Sequence, residues 1–218
     1  MDKTAYFEQM RRRRRDEILA AAREMILKQG VSAFNIQQLA RSLDISTVTL
    51  YKYFKNADDI MLALKEQIID EAFAMSAFTV QEAEDKNALD SALKLLHSFY
   101  DNVLNSRGDI TLLLLFEVHT RSLPSSEAGK SVFYAYTKKF TQKLEELLTL
   151  AKESGSTRAD LNIPGAVHFI TRMNISMLQH IGLYSDDCFE KEKEDIQIQI
   201  KQLIQMYSLY LTFSGSSQ

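Results

Sequence analysis

Ser46, Thr47, Val48 and Thr49 put three hydroxyls and one small apolar side chain on consecutive residues, and Tyr51, Lys52, Tyr53 and Lys55 follow at once. Hydroxyls both donate and accept, and a valine can lie against a thymine methyl, so the first four suit the edges of base pairs in a DNA major groove. The tyrosine hydroxyls and ammonium groups behind them suit phosphates, which hold a protein in register without reading sequence. The alternative for Tyr51 and Tyr53 is that they are half-buried packing residues. The sequence offers little competing chemistry. His97, His119, His168 and His180 lack metal-ligand spacing and stand beside no nucleophile motif, and Cys188 has no second thiol with which to form a disulfide or share a metal. These features argue against an enzyme and imply no cofactor and no metal.

To enter a groove about 12 Å wide, such residues need a short exposed helix that longer helices hold in place. With only 7 Gly and 2 Pro in 218 residues, the chain has too few turn residues for a many-stranded sheet, and helices are expected throughout. Arg13 to Gln29 sets Ile18, Ala21, Ala22, Met25 and Ile26 at helical spacing, and Gly30 follows as a stop. Asn35 stands as an N-cap before Ile36, Leu39, Ala40 and Leu43, a helix of about two turns. Asp44 and Ile45 make a tight connection, and Ser46 caps a third helix, Thr47 to Phe54, with Leu50 and Phe54 facing inward. Asn56 precedes a long fourth helix through Ile60, Leu64, Ile68 and Phe73. Two helices too short to be stable alone, joined by a tight turn and flanked by longer ones, make a helix-turn-helix.

Further on, the pattern predicts longer helices over Ala88 to Asn105, Ile110 to Ser122, Ser131 to Glu153, Gly165 to Tyr184 and Glu190 to Phe213. Arg107 to Asp109, Leu123 to Ser126 with Pro124, and Gly155 to Pro164 are the expected breaks, and Ser214 to Gln218 is an expected tail without structure. The fold class is all-α: an N-terminal three-helix helix-turn-helix DNA-binding domain over residues 1–55, and a larger helical ligand-binding and dimerisation domain over 56–218. No apolar run approaches the roughly 20 residues that span a bilayer, so no membrane partner and a cytoplasmic protein are expected.

A net charge of −3 does not suit a chain that coats nucleic acid, but the charge is unevenly placed. Residues 1–60 hold 11 Lys and Arg against 8 Asp and Glu, whereas the remainder holds 15 against 21. A basic reading head on an acidic body has this distribution. Arg11 to Arg15 read either as an arm that meets the minor groove or backbone, or as the solvated start of the first helix.

The run from Gly30 to Ala40, then Leu43 to Ser46 and Thr49 to Phe54, resembles the N-terminal domain of the TetR family of regulators, over roughly residues 13–70. The resemblance implies that Gln37 and Gln38 approach DNA from the second helix, that Thr47, Val48 and Thr49 read bases, and that Tyr51, Tyr53 and Asn56 lie at phosphates. Asn35, Ser46, Lys52 and Lys55 complete the expected DNA-binding set. Three positions depart from the family pattern: Asn35 replaces a common threonine, Val48 stands where glycine or another small residue is frequent, and Ala57 replaces a lysine that usually opens the fourth helix.

The resemblance also implies a body that dimerises and binds an unidentified small-molecule effector. Val167, Ile170, Met177 and Ile181 in one helix, and Ile196, Ile200, Leu203 and Tyr207 in the next, form apolar stripes that read as a four-helix dimer interface, with core packing inside one subunit as the alternative. Candidate effector contacts are the residues where aromatic and polar groups share helices: Phe99, Tyr100, Phe116, His119, Phe133, Tyr136, His168 and Met173. The expected function is a homodimeric repressor released from palindromic operator DNA by a small apolar effector. An activator of the same type, or a helical adaptor that binds no DNA, are the alternatives.

Overall fold

The first helix, α1, runs from Lys3 to Gln29 in the computed structural model, which describes residues 3–77, 88–121 and 132–213. It begins ten residues earlier than its apolar spacing indicates, because residues 3–12 contain no glycine or proline to stop it. Arg11 to Arg15 therefore form neither an arm nor a helix start. They lie two to three turns inside α1, where Arg13 and Arg14 pair with Glu17 at 3.4 and 2.8 Å.

Gly30 ends α1 with φ 81° and ψ 164°, and its N–H donates to Ile26 O at 2.8 Å. A single 3-10 turn, Val31–Ala33, leads into α2 (Ile36–Ser42), and α3 follows at Thr47–Tyr51. The caps are as the residue types require: Asn35 Oδ1 accepts from Gln37 N at 2.7 Å and Ser46 Oγ from Thr49 N at 3.0 Å. Asp44, at φ 52°, turns the chain between them. α3 ends three residues before the expected Phe54, because Lys52 N and Tyr53 N donate to Thr49 O and Leu50 O in tighter i→i−3 bonds.

α4 (Ala57–Ala77) opens with a reciprocal cap: Asn56 Oδ1 accepts from Asp59 N at 2.8 Å and Asp59 Oδ2 from Lys55 N at 2.9 Å. Five further helices follow: α5 (Ala88–Asn105), α6 (Arg107–Arg121), α7 (Val132–Glu153), α8 (Ile163–Leu183) and α9 (Asp186–Thr212). The expected break at Arg107 to Asp109 is instead the first turn of α6. Arg107 anchors that turn: its guanidinium donates to Asp186 at 2.8 Å and to the Tyr184 carbonyl, and lies 5.0 Å from the Phe189 ring centroid. α8 starts on an Asn162 cap with Pro164 in its first turn, and α9 on a Ser185 cap four residues before the expected Glu190. The expected break at Leu123 to Ser126 and the tail at Ser214 to Gln218 lie outside the described residues, as does the side chain of Phe73.

Two units divide the described chain. Residues 3–68 with 115–121 form one, and residues 69–77, 88–114 and 132–213 the other. In the first, Ile18, Ile26, Leu39, Leu50, Phe54, Ile60 and Leu64 are buried. In the second, α5 packs on α7 and α9, and α8 on α7 and α9, around Leu96, Phe133, Leu148, Ile170 and Ile196. All described secondary structure is helical, and no described helix is long and apolar enough to cross a membrane.

The backbone at Gly30 lies in a region essentially restricted to glycine, although a Cβ there would meet nothing within 4 Å. Gly30→Ala is therefore expected to lower stability through backbone strain alone, by roughly 1–3 kcal/mol in urea titration. An unchanged midpoint would mean that the α1–α2 connection relaxes freely.

Candidate nucleic-acid interface

The outward edge of the first unit is built on two helices of seven and five residues, α2 and α3, whose inner sides carry the buried Leu39, Ala40 and Leu50. Helices this short do not persist in water without packing. Phe54, 1% exposed, closes the α3 end, and the Arg15 guanidinium lies 4.3 Å from its ring centroid while Nη1 donates to Tyr53 O at 3.3 Å. Part of the arginine run thus holds the α3–α4 turn in place.

Gln37 and Gln38 are exposed on α2. On α3 Val48 is 68% exposed and Tyr51 53%, and Lys52 and Lys55 point to solvent just beyond. Thr47 and Tyr53 are half-buried. Asn35, Ser46 and Asn56 are exposed, but each uses its side-chain oxygen to cap a helix, and the Ser46 and Thr49 hydroxyls share a 2.9 Å hydrogen bond. The hydroxyl pair thus shapes the start of α3 as well as facing outward. Ala57 begins α4 as expected, yet its first turn also carries Asp58 and Asp59, which suit the helix dipole and oppose a phosphate.

One feature of this edge was not anticipated. Phe7, Met10, Arg11, Arg13 and Arg14 of α1, with Lys52 and Tyr53, line an open groove of about 820 Å³. Tyr6 and Phe7 are 50% and 68% exposed. The lack of any helix breaker after Lys3 was the signal that these aromatics stand on a helix.

In the second unit several sequence expectations are corrected. Val167, Ile170, Ile181, Ile196, Ile200, Leu203 and Tyr207 are all buried within the single chain, and Met177 is half-buried. These stripes are the packing of α8 and α9 inside one subunit and leave little surface for a partner. The outward faces carry different apolar residues: Phe169, Met173 and Leu183 on α8, and Ile198, Met206 and Leu209 on α9, with Phe213 just beyond it.

The eight candidate effector residues are divided between the two units. Phe99, Tyr100 and Tyr136 do meet, with Phe99 stacked at 4.5 Å on Phe140, and Phe133 is buried on the same helix as Tyr136. Phe116 and His119 belong to the first unit, while His168 and Met173 point outward from α8. Asn174 is not among the residues that the sequence singled out. It is fully buried, and its Oδ1 accepts from Tyr100 Oη at 2.7 Å and Tyr207 Oη at 3.0 Å. Burial pushes both phenols above the ordinary tyrosine range; the neighbouring phenol raises Tyr100 further and partly offsets the rise at Tyr207. Burial, then the Asp109 carboxylate, raises Tyr136 as well. No group of three or more His, Cys, Asp or Glu residues able to hold a metal occurs among the described residues.

With this geometry in place, the likeness to known proteins is specific. Residues 18–64 match the family described as "Bacterial regulatory proteins, tetR family". The stretch that carries α2, α3 and the start of α4 is thus similar to the helix-turn-helix of that family, and the chain as a whole shares the all-helical fold of solved TetR-family regulators. The HTH-type transcriptional regulator HbdR of Aromatoleum sp. (strain CIB) is 35% identical over 57 residues, a stretch covering 26% of this chain and 25% of HbdR. The fatty acid metabolism regulator protein of Bacillus subtilis (strain 168) is 23% identical over 150 residues, covering 67% of this chain and 72% of that protein. Among solved structures, the transcriptional regulator FadR from Bacillus subtilis in complex with stearoyl-CoA superposes with a TM-score of 0.62 at 18% identity, covering 88% of this chain and 96% of that one. These relatives are regulators, not enzymes.

The tyrosine pair gives the stability a defined alkaline limit. In the unfolded chain a phenol ionises near pH 10, whereas in the fold it holds its proton to higher pH, so the unfolded state loses protons first and stability falls as pH rises past about 10. Urea titrations between pH 8 and 11 should show this fall, and Tyr100→Phe with Tyr207→Phe should make it shallower. Identical alkaline limbs would mean that neither phenol is held protonated by the fold.

Proposed function

We propose that the chain is a homodimeric intracellular repressor that holds a near-palindromic operator through two copies of α3 and leaves it when an apolar effector of acyl type binds the helical body. The observation that carries the DNA reading is the α3 edge: Val48, Tyr51 and Lys52 face outward from a five-residue helix whose other side is buried. In this reading Thr47, Val48 and Thr49 meet base edges, Gln37 and Gln38 approach from α2, and Tyr51, Lys52, Tyr53, Lys55 and Asn56 pass along phosphates. The arginines of α1 add charge beside Lys52.

Dimerisation is supported by the outward apolar residues of α8 and α9, because large side chains of this kind gathered on the exposed side of two helices suit an association surface. The acyl class is supported by the relatives, one named for fatty acid metabolism and one solved with stearoyl-CoA. Such an effector releases DNA only by binding the two dimer states unequally.

Ala57→Lys tests the placement of the head on DNA. The new cation at the first residue of α4 should tighten binding to all sequences about equally and steepen the slope of log affinity against log salt by up to about 0.9, while Thr47→Ala should leave the slope nearly unaltered. If Ala57→Lys changes neither affinity nor slope, α4 does not begin at the DNA backbone and the placement is wrong.

The dimer face has its own test. Phe169→Glu combined with Met206→Glu should give a folded monomer in sedimentation equilibrium at micromolar concentration and greatly weaken operator binding. A dimer that persists would move the interface away from the exposed faces of α8 and α9.

A further inference from the structure

Asn174 is the one fully buried amide side chain among the described residues of the helical body, and its two ends are treated differently. Both lone-pair directions of Oδ1 are filled by phenols from α5 and α9, Tyr100 at 2.7 Å and Tyr207 at 3.0 Å. Its Nδ2 has no hydrogen-bond partner among the described residues. Turning the amide over does not repair this, because the two phenol protons would lose their shared acceptor and Oδ1 would become the bare end. A buried donor without a partner is costly, and an all-apolar trio of similar shape would pack the same space without that cost. The node therefore has a donor to give that the fold itself does not use.

We propose that Asn174 Nδ2 is the polar anchor of the effector site, donating to the carbonyl oxygen of an apolar acyl ligand. This rests on the ligand-responsive reading above and adds the recognition chemistry to it. Two observations define the ligand's acceptor and its surroundings. The acceptor must be uncharged, since all three side chains of the node are neutral and a buried carboxylate would need a cation to pair with. Aromatic rings adjoin the node on both sides: Phe99 lies 5.4 Å from Tyr100 and stacks on Phe140, and Phe169 lies 6.4 Å from Tyr207. They offer an apolar wall for a chain and little else to a charged group. Tyr100 and Tyr207 are positioning residues, because they hold Oδ1 and thereby fix which way Nδ2 points.

The test compares stearoyl-CoA with its S-octadecyl thioether, which has the same chain and headgroup but lacks the carbonyl oxygen, by calorimetry on the full-length protein. The wild type should bind the thioester about tenfold more tightly, the worth of one net hydrogen bond. Tyr100→Phe/Tyr207→Phe/Asn174→Leu should bind both compounds with the thioether's affinity and keep the wild-type affinity for DNA. Equal affinity of the wild type for the two compounds overturns the anchor and leaves the acyl reading standing. If the wild type binds neither compound and neither displaces DNA, the acyl reading falls and the anchor with it. The wild-type comparison needs no variant, so a triple variant that fails to fold still leaves the proposal decided.

Discussion

Everything at the α3 edge depends on the burial of Leu50 and Phe54. A five-residue helix cannot hold its own shape in water, since nucleation costs more than so few hydrogen bonds return. Here the shape is imposed from outside. Leu50 and Phe54 are drawn into the core with Leu39, Ile18 and Ile26, Ser46 caps one end, and Arg15 lies over Phe54 at the other. Only because that inner side is fixed can Val48, Tyr51 and Lys52 stand at a defined outward edge. The same residue class thus does two jobs: within one run of arginines, Arg15 is tied to the α3–α4 turn while Arg11 is exposed along the groove beside it.

The helical body follows a different logic. Its interior is filled by α5, α7, α8 and α9, and both α8 and α9 carry a second apolar face toward solvent. In the proposed dimer those outward faces are what a second copy would cover. The interior also contains the Tyr100–Asn174–Tyr207 node, a polar element that contributes less to stability than hydrocarbon of the same volume would.

The sequence made the starts of α2, α3 and α4 legible to the residue, because caps are local chemistry. Asn35, Ser46 and Asn56 each mark a helix start through a hydrogen bond to a residue two or three positions on, and all three bonds are present. The α5 bounds, Ala88 to Asn105, were equally clear from apolar spacing. What failed was long-range. Arg107 looked like part of a break beside Gly108, and only its partners at Tyr184, Asp186 and Phe189, nearly eighty residues away, explain why it starts a helix. Periodicity also found the strongest stripes of α8 and α9 without saying what covers them. Ile170 and Ile196 face their own chain, whereas the weaker set of Phe169, Met173, Met206 and Leu209 faces out. Asn174 was passed over because one polar residue in an apolar stripe has no signature until its two phenols, 74 positions before it and 33 after it, are brought alongside.

The central claim, that two copies of α3 read DNA about a twofold axis, is tested most directly by selecting bound duplexes from a random library with the full-length protein. The account predicts enrichment of an inverted repeat whose half-site centres lie about one helical turn, roughly 34–36 Å, or a multiple of it apart. Enrichment of no sequence, or of a single unrepeated site, would contradict it.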